Sequence, residues 1–397
     1  MEQLRTLPQA KRPAARLIGR KCIACVFGTR PEAIRMAPVI RALAADPRTK
    51  PLVILTSQDR DLLDQVTGLF DLDIAADLNV KQDGQNLGDI TASILQGLAP
   101  VLEDLAPDCV LVHGDTTTTL AVSLAAFYAG IPIGHMEAGV HPADRTAPRL
   151  GDMNAKLVAQ VATMHFAPTA EAAENLIRAG VDQGQIEITG NTSIDALAWV
   201  RETTEADPGI VQDMEARFPW LDSSRRLVLV AGHQGEDQDG DPGQIAGALI
   251  RLAARGDLQI AWSVRMSPKA RQNLETILAH APGARHIHMI DPPGYRAQAW
   301  LMGRAEVIIT DNGNVQEEAP FLGKPVLVIN DGLGRPEAVA AGTVRLVGRS
   351  TEGLVAETSR LLDDWGAYRA MAHAPNPYGD GQAAERIQAR LMSELVG

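Results

Sequence analysis

The sequence predicts an α/β protein made of two doubly wound domains, each with a mostly parallel sheet. Short apolar segments alternate with helical stretches almost throughout the chain, which is the pattern of a parallel sheet covered by helices on both faces. These segments fall into two series of about five. The length of 397 residues also exceeds what one hydrophobic core usually serves. Each series is therefore assigned to its own Rossmann-like domain.

The predicted strands follow one another in two groups along the chain. The first group is "CIACVFG", "PLVILTS", "CVLVHGD", "IPIGHME" and "MHFAPT", and the second is "RLVLVAGH", "LQIAWSV", "IHMIDP", "EVIITDN" and "KPVLVIND". The segment "IEITGNTSIDALAWV" is the predicted junction, because the first group ends there and a new helix begins. The tail "NPYGDGQAAERIQARLMSEL" indicates a Gly-rich turn followed by an amphipathic helix.

Composition and charge exclude several classes of function. The net charge of −12 argues against nucleic acid or an anionic membrane surface as the main partner. No apolar run approaches the roughly 18 residues that a membrane span needs. Residues 1–21 are basic and lack the apolar region of a secretory signal, so we expect a disordered extension there.

The cysteines favour neither a disulfide framework nor a redox centre. There are three, Cys22, Cys25 and Cys109. Cys22 and Cys25 lie three apart on a predicted strand, where such residues face opposite sides of the sheet. We therefore expect no redox role and a cytoplasmic location.

The first predicted strand runs into a turn that favours an anion. Gly28 and Thr29 form a tight turn into a helix whose free N–H groups suit a phosphate. Arg30 lies at the turn and Arg35 one helical turn later. The alternative is an ordinary strand–helix turn with solvated arginines.

Two carboxylates follow later strands of the same series. Asp115 comes after "LVH" and before a helix that starts with four threonines, so it is either a helix N-cap or a cleft carboxylate. Glu137 follows the strand "GIPIGHM". In a doubly wound sheet both loops lie at the carboxyl edge, where ligands bind, and we expect the cleft between the two domains there.

The second series repeats this design. Asn312, Gly313 and Asn314 turn into a helix whose backbone amides suit a phosphate, and a glutamate of its opening, Glu317 or Glu318, suits the hydroxyls of a ribose. His233 follows the strand "RLVLVA" and is expected at the same edge.

Two further patterns suggest metal sites and are set aside. Asp237, Asp239 and Asp241 resemble a calcium loop, but the glycine falls too early and position 248 is alanine. His286 and His288 are predicted on one strand face without partner ligands, so structural roles are expected.

Taken together, these segments resemble the non-hydrolysing UDP-N-acetylglucosamine 2-epimerases. The segments "FGTRPEAIRMAPVI", "VHGDTTTTLAVSLAAFYAGIPIGHMEAG", "HFAPT", "ITGNTSIDAL", "QEEAPFLGKPVLV" and "NPYGDGQA" occur in the order found in that family. The resemblance covers nearly everything from residue 22 to the C-terminus. It implies a GT-B-like fold whose C-terminal helix crosses back to the first domain. The domains are then 22–190 with 375–397, and 191–374.

The resemblance also implies an activity and a set of site residues. The family eliminates UDP from C1 as a proton leaves C2, and re-adds it after the proton returns to the opposite face, with no metal or redox cofactor. Members are typically homodimers. The implied nucleotide contacts are Arg30, His233 and Glu318, with Arg335 and Glu337 contacting sugar or phosphate. Asp115 and Glu137 match two of the family's cleft carboxylates.

Several positions depart from the family pattern, first of all after Glu137. Gly151 stands where the third catalytic carboxylate is usual, and Asp152 replaces the neighbouring glutamate. His141 and Ala155 stand where the family has arginines. Asp152 and His141 are the two candidates to replace the missing base.

Other departures fall on the phosphate contacts. Gln234 and Gly235 replace two arginines, and Asn312 stands where a phosphate-contacting serine is usual, with Arg265 as a possible compensation. The allosteric motif is altered at Gln58–Arg60. We therefore expect weak or absent activity on UDP-GlcNAc itself.

Three readings remain open. The first is an isomerase acting on a UDP-HexNAc or related nucleotide sugar. The second is a hydrolysing variant that releases UDP and ManNAc. The third is a pseudoenzyme that only binds a sugar or nucleotide.

Overall fold

In this computed structural model the described residues are 20–56, 60–80, 84–140, 150–232, 242–265, 267–329 and 335–396. The chain divides into two compact units, Met1–Ala196 with Tyr378–Gly397, and Leu197–Pro377. We call them unit 1 and unit 2 and describe each by itself. The sequence analysis expected the first domain to end at 190, six residues before Ala196, and the second to end at 374, three residues before Pro377.

Over the described residues, unit 1 contains a seven-stranded parallel sheet in the order β3-β2-β1-β4-β5-β6-β7. Its strands are β1 (Lys21–Phe27), β2 (Thr49–Leu55), β3 (Ile74–Asp77), β4 (Cys109–His113), β5 (Ile133–Met136), β6 (Met164–Ala167) and β7 (Ile186–Ile188). The six strands from β3 to β6 follow the order of a Rossmann fold. Because all strands are parallel, the loops after β1, β4 and β5 meet at one edge.

Helices cover both faces of this sheet. They are α1 (Arg30–Ala45), α2 (Arg60–Phe70), α3 (Leu87–Leu105), α4 (Thr117–Tyr128), α5 (Leu150–Val161), α6 (Ala170–Arg178), the first turns of α7 (Thr192–Glu205), and the C-terminal helix, α16 (Ala383–Val396). Helix α4 packs between α3 and α5, while α16 packs against α1. The C-terminal helix therefore belongs to unit 1, as the family resemblance implies.

Unit 2 has the same design in its described part, with six parallel strands in the order β10-β9-β8-β11-β12-β13. These are β8 (Arg226–Ala231), β9 (Leu258–Ser263), β10 (Ile287–Ile290), β11 (Ala305–Thr310), β12 (Val326–Val328) and β13 (Val344–Leu346). Its helices are α8 (Pro208–Arg217), α9 (Pro242–Ala253), α10 (Pro268–Leu278), α11 (Tyr295–Arg304), α12 (Gly313–Glu318), α13 (Pro336–Ala341), α14 (Thr351–Asp363) and α15 (Trp365–Ala372). The prediction of two doubly wound α/β domains is confirmed.

Each sheet buries aliphatic side chains on both faces. In unit 1 the core between the sheet, α3 and α4 contains Val26, Ile54, Val110 and Val112, all nearly inaccessible. In unit 2, Trp262 on β9 is the largest fully buried side chain. Small aliphatic residues dominate, since only 4% of the chain is aromatic.

The structure corrects some of the sequence-based assignments. Strands β3, β7 and β13 were not predicted; each has three or four residues and none is fully buried, so no apolar run marks them. His286 lies in a 3₁₀ turn rather than on a strand face with His288. His288 stacks on Trp220 with ring centroids 4.3 Å apart, a structural role.

The structure describes the three cysteines but not most of the predicted N-terminal extension. Residues 1–19 lie outside the described residues, and β1 already begins at Lys21. The three cysteines are free thiols, half-buried at Cys22 and buried at Cys25 and Cys109. Burial raises the pKa of Cys109 to about 12, and it raises that of Cys25 as well. Among the described helices, none has the length and hydropathy to cross a membrane.

Candidate active site

The candidate site of unit 1 is built by the loops that follow β1, β4 and β5, which are neighbours in the sheet. The register pairs His113 with Met136, so the last residues of β4 and β5 end side by side. The next residues along the two loops include Asp115 and Glu137. The parallel sheet therefore brings together two carboxylates that are 22 positions apart in the chain.

Two side-chain nitrogens lie close to the carboxylate of Glu137. Its Oε2 lies 3.2 Å from Nη1 of Arg35 and 2.8 Å from Nε2 of His113. The three side chains are nearly buried, with 11%, 10% and 4% of their surface exposed. Glu137 also has a φ of 55°, a left-handed conformation that is uncommon for a residue with a side chain. This arrangement stabilises a buried carboxylate at the strand end.

Asp115 lies beside this group in a different environment. Asp115 is exposed as a whole residue, yet protein atoms surround enough of its carboxyl to shift its pKa. Burial raises the pKa of Asp115, and the carboxylates of Glu137 and Asp152 raise it further, while His113 acts in the opposite direction. Two neighbouring carboxyl groups thus differ in their partners, the usual arrangement of an acid and a base.

The turn that carries Asp115 is fixed by side chains from two other elements. Nε2 of His135, on β5, lies 2.8 Å from the carbonyl oxygen of Gly114. Nδ2 of Asn154, on α5, donates to the carbonyl oxygen of Asp115 at 3.0 Å. Gly114 itself has a φ of 70°, a conformation that glycine adopts without strain. Both supporting side chains are buried, so the backbone of this turn is well determined.

The turn after β1 does not present the free amides that the sequence suggested. Oε2 of Glu32 accepts hydrogen bonds from the backbone N–H groups of Gly28 and Thr29 at 2.9 and 2.8 Å. Oε1 of the same carboxylate accepts from the hydroxyl of Thr116 at 2.5 Å. Glu32 is buried and forms a capping box with Thr29. The expected anion turn is therefore filled by a carboxylate of the protein itself.

The two arginines of this segment have different settings. Arg35 is buried and forms the ion pair with Glu137. Arg30 begins α1 and is half-buried. Arg30 is thus the more accessible of the two cations, and Arg35 contributes to the charge of the carboxylate site.

Unit 2 holds a second group of predicted residues around the short helix α12. Oδ1 of Asn312 accepts from the backbone N–H of Asn314 at 2.9 Å, so the side chain caps the helix. Buried Glu317 pairs with Nε of Arg335 at 2.5 Å. A Cβ on Gly313 would lie 3.0 Å from Nη2 of Arg335, which places the guanidinium over the first turn.

Glu318 lies on the same helix, and its Oε1 accepts from the hydroxyl of Tyr295 at 3.2 Å. Both residues are buried. Glu337 stands in the first turn of α13. Arg265 is exposed in the segment after β9.

Some predicted residues fall outside the described part of the chain. These are His141, His233, the candidate calcium loop with Asp237, Asp239 and Asp241, and Gln58, Gln234 and Gly235. Within the described part, no group of three or more possible metal ligands is present.

The structure adds four site residues that the sequence analysis did not single out: Glu32, His113, Asn154 and Tyr295. His113 lies in the segment "LVHGD" directly before Asp115, and this position at a strand end was its only signal. Glu32 lies three residues after Thr29, the spacing of a helix capping box, which was its signal. Asn154 and Tyr295 gave none, because their partners lie far away in the sequence or are backbone atoms.

Comparison with known proteins connects this geometry to one family. The sequence model of the family described as UDP-N-acetylglucosamine 2-epimerase matches residues 41–392. The UDP-N-acetylglucosamine 2-epimerase of Escherichia coli K12 is 47% identical over 372 residues, covering 94% of this chain and 98% of that protein.

Two solved structures extend the comparison to the fold. The UDP-GlcNAc 2-epimerase of Neisseria meningitidis, crystallised with UDP-GlcNAc, has a TM-score of 0.85 at 39% identity, covering 94% of this chain and all of that one. The Methanocaldococcus jannaschii enzyme, in complex with UDP-GlcNAc and UDP, has a TM-score of 0.75 at 30% identity and covers 94% and 99% of the two chains.

Proposed function

Since this chain belongs to the UDP-N-acetylglucosamine 2-epimerase family, we propose that it is an isomerase that inverts C2 of a UDP-HexNAc, either UDP-GlcNAc/UDP-ManNAc or a related nucleotide sugar. The observation that carries the proposal is the carboxylate pair at the ends of β4 and β5. Glu137 has a guanidinium and an imidazole beside it, while Asp115 has a raised pKa. Inversion at a carbon next to the anomeric centre needs such a proton acceptor and donor.

The proposed reaction balances without a redox partner. A carboxylate accepts the proton from C2 while the C1–O bond breaks and its electron pair leaves with UDP, giving a 2-acetamidoglucal. A protonated carboxyl then returns a proton to the opposite face of C2, and UDP forms the C1–O bond again. Glu137 is assigned as acceptor, because Arg35 and His113 stabilise its charge, and Asp115 as donor.

The residues of unit 2 that we assign to the nucleotide lie on and around α12, and Arg30 of unit 1 stays a separate candidate contact. The buried Glu318, with Tyr295 bonded to it, suits the ribose hydroxyls, and Arg335 over α12 suits a phosphate. Glu337 joins this group as a sugar or phosphate contact. The Neisseria relative was crystallised with UDP-GlcNAc, which supports the same class of ligand here.

We further propose that activity on UDP-GlcNAc itself is weak or absent. At position 151 a glycine replaces the carboxylate that the family resemblance implies, and Asn312 uses its side chain to cap α12. Each charge-assisted phosphate contact is worth roughly 1.5–3 kcal/mol. Loss of the contacts that the family resemblance implies at positions 234, 235 and 312 should therefore weaken diphosphate binding considerably. Asp152, buried on α5, and His141 remain the candidates for a replacement base.

The test is proton NMR of the purified protein with UDP-GlcNAc and then other UDP-HexNAc donors in D₂O. The proposal expects deuterium at C2 and the C2 epimer for at least one donor. Free ManNAc with UDP would identify the hydrolysing variant instead. Binding of every donor without C2 exchange or hydrolysis would identify a non-catalytic binding protein and overturn the proposal.

The family resemblance also implies a homodimer, and one surface of unit 1 supports this as a proposal. Leu150, Met153 and Leu157 lie at helical spacing on α5 with 54%, 46% and 47% of their surface exposed. A stripe of three large apolar side chains on one helix is typical of a contact surface. A second copy of this chain is the partner that we assign to it.

A further inference from the structure

We propose that Gly151 is a positioning residue: the missing side chain on the first turn of α5 makes the space that the Asp115 carboxylate occupies. The catalytic meaning of this inference rests on the proposed function. Its structural content does not, and it can be tested separately.

With Asp115 in its present rotamer, a side chain at position 151 would overlap the Asp115 carboxyl. A Cβ built on Gly151 would lie 2.2 Å from Oδ2 of Asp115 and 2.8 Å from Cγ. Real Cβ atoms essentially never approach heavy atoms within 3.0 Å. The carboxyl of Asp115 therefore takes up the volume in which even the methyl group of an alanine would stand.

The backbone of Asp115 has little freedom to relieve such a conflict. Nε2 of His135 lies within hydrogen-bond distance of the carbonyl oxygen of Gly114, and Asn154 donates to the carbonyl oxygen of Asp115 itself. Asn154 is only three residues after Gly151 on the same helix, so α5 both holds the turn and receives its side chain. A methyl group at position 151 would have to be accommodated by rotation of the Asp115 side chain, which is flexible.

The present seat of Asp115 determines its chemistry. The carboxyl of Asp115 lies against the N-terminal turn of α5, a 12-residue helix. Asp152 follows Gly151 in that turn. Rotation away from α5 would take the carboxyl out of its present contact with this helix and away from Asp152. An acid displaced by about 1 Å can lose on the order of 100-fold in rate.

The absence of a side chain at Gly151 therefore also leaves room for the carboxyl of Asp115. A glutamate at position 151, as the family resemblance implies, cannot be added to the present site without moving Asp115. We therefore expect Gly151→Glu to displace the existing acid and not to add a third carboxylate to the other two.

The experiment compares Gly151→Ala with a matched control, Gly68→Ala. Both glycines lie in helices, so both variants gain the helix propensity of alanine. At Gly68, on α2, no described atom lies within 4 Å of the new Cβ. The first readout is the pKa of the Asp115 carboxyl, measured by carbon NMR and assigned with Asp115→Asn.

We expect the pKa of Asp115 to fall toward its ordinary value in Gly151→Ala and to stay unchanged in Gly68→Ala, because burial is the main cause of its rise. Where the wild type turns over a UDP-HexNAc, C2 exchange should fall about 10- to 100-fold in Gly151→Ala only. Equal pKa values in all three proteins would overturn the inference.

A second measurement protects the test against a change in folding. The effect of Gly151→Ala on the melting temperature is compared in the wild-type and Asp115→Ala backgrounds. The decrease in melting temperature caused by the clash with the Asp115 carboxyl should disappear in the Asp115→Ala background. An identical change in melting temperature in both backgrounds would contradict the proposal. If no UDP-HexNAc is turned over, the proposed function fails, while the pKa and melting experiments still decide the role of Gly151.

Discussion

At the scale of single residues, Glu137 combines an unusual backbone conformation with two buried partners. A residue with a side chain at φ 55° is retained where the surrounding structure holds it there. Here the holding groups are Arg35 and His113. The strain and the ion pair together fix where one carboxylate oxygen points.

We predict that Glu137→Gln abolishes C2 exchange, with a loss of at least about 1,000-fold on whichever UDP-HexNAc the wild type accepts. The amide keeps the shape and an oxygen that accepts from Arg35, but it cannot take a proton from C2. Deuterium incorporation in D₂O measures the loss. The exposed variant Glu174→Gln on α6 is the control, and exchange that survives in Glu137→Gln would remove Glu137 from the mechanism.

The sequence could indicate Asp115 and Glu137 because both follow predicted strands. It could not indicate what they touch. Arg35 and Glu137 pair across 102 positions, and Glu32 turns back to fill the site where an anion was expected. A carboxylate that caps its own helix and one that waits for a ligand look alike in a sequence, because only the folded turn shows which amides are already bonded.

At the scale of elements, helix α5 serves two surfaces. Its buried face carries Asp152 and Asn154 into the candidate site. Its other face exposes Leu150, Met153 and Leu157. A partner bound to the exposed face would therefore contact the same helix whose Asn154 holds the Asp115 turn.

We predict that the wild type is a dimer of about twice 42.5 kDa and that Leu157→Lys is a monomer. A lysine in an apolar interface loses its hydration, which costs several kcal/mol when no partner charge is supplied. Light scattering after size exclusion measures the mass. Ile177→Lys, an equally exposed apolar position on α6, is the control.

The dimer prediction fails if the wild type is monomeric at micromolar concentration. It fails equally if Leu157→Lys and Ile177→Lys have the same mass as the wild type. A monomeric Leu157→Lys with reduced C2 exchange would connect the two faces of α5.

Ten strands could be read from the sequence because each lies in an apolar run bounded by turn residues. β3, β7 and β13 could not, because each contains a charged residue, Asp77, Glu187 or Arg345, that interrupts the apolar pattern. They extend the outer parts of the sheets and leave the loops after β1, β4 and β5 where they were expected.

At the scale of the whole molecule, the C-terminal helix is tied into unit 1 by polar contacts from distant parts of the chain. Oδ1 of Asp195 accepts from the N–H of Ala384 at 2.8 Å, and Gln388 donates to Asp46 at 2.6 Å. Oδ2 of Asp195 is buried and has no hydrogen-bond partner in the described part of the chain. Burial raises the pKa of Asp195 to about 6.

This raised pKa predicts a pH-dependent stability. Between about pH 4 and 6 the folded protein keeps a proton on Asp195 that the unfolded chain has lost. The free energy of unfolding therefore falls as pH rises through this window, by roughly 2–3 kcal/mol from this group. Urea unfolding at pH 4, 5, 6 and 7 measures it, as the difference between the wild type and Asp195→Asn.

Asp104→Asn, an exposed change of the same kind on α3, is the reference for this measurement. It should leave the pH slope unchanged, while Asp195→Asn should flatten it. A slope shared by all three proteins would show that Asp195 keeps its ordinary pKa.

The return of α16 to unit 1 has a consequence for the order in which the protein is synthesised. The ribosome must complete all of unit 2 before the helix that packs on α1 exists. At about 5–20 residues per second, the roughly 200 residues after Ala196 take some 10 to 40 s. During that time the nascent first unit carries an uncovered surface where Ile387 and Leu391 will later be buried. Completion of its fold thus waits until unit 2 has been translated, and a circular permutant that starts at Tyr378 would remove that delay.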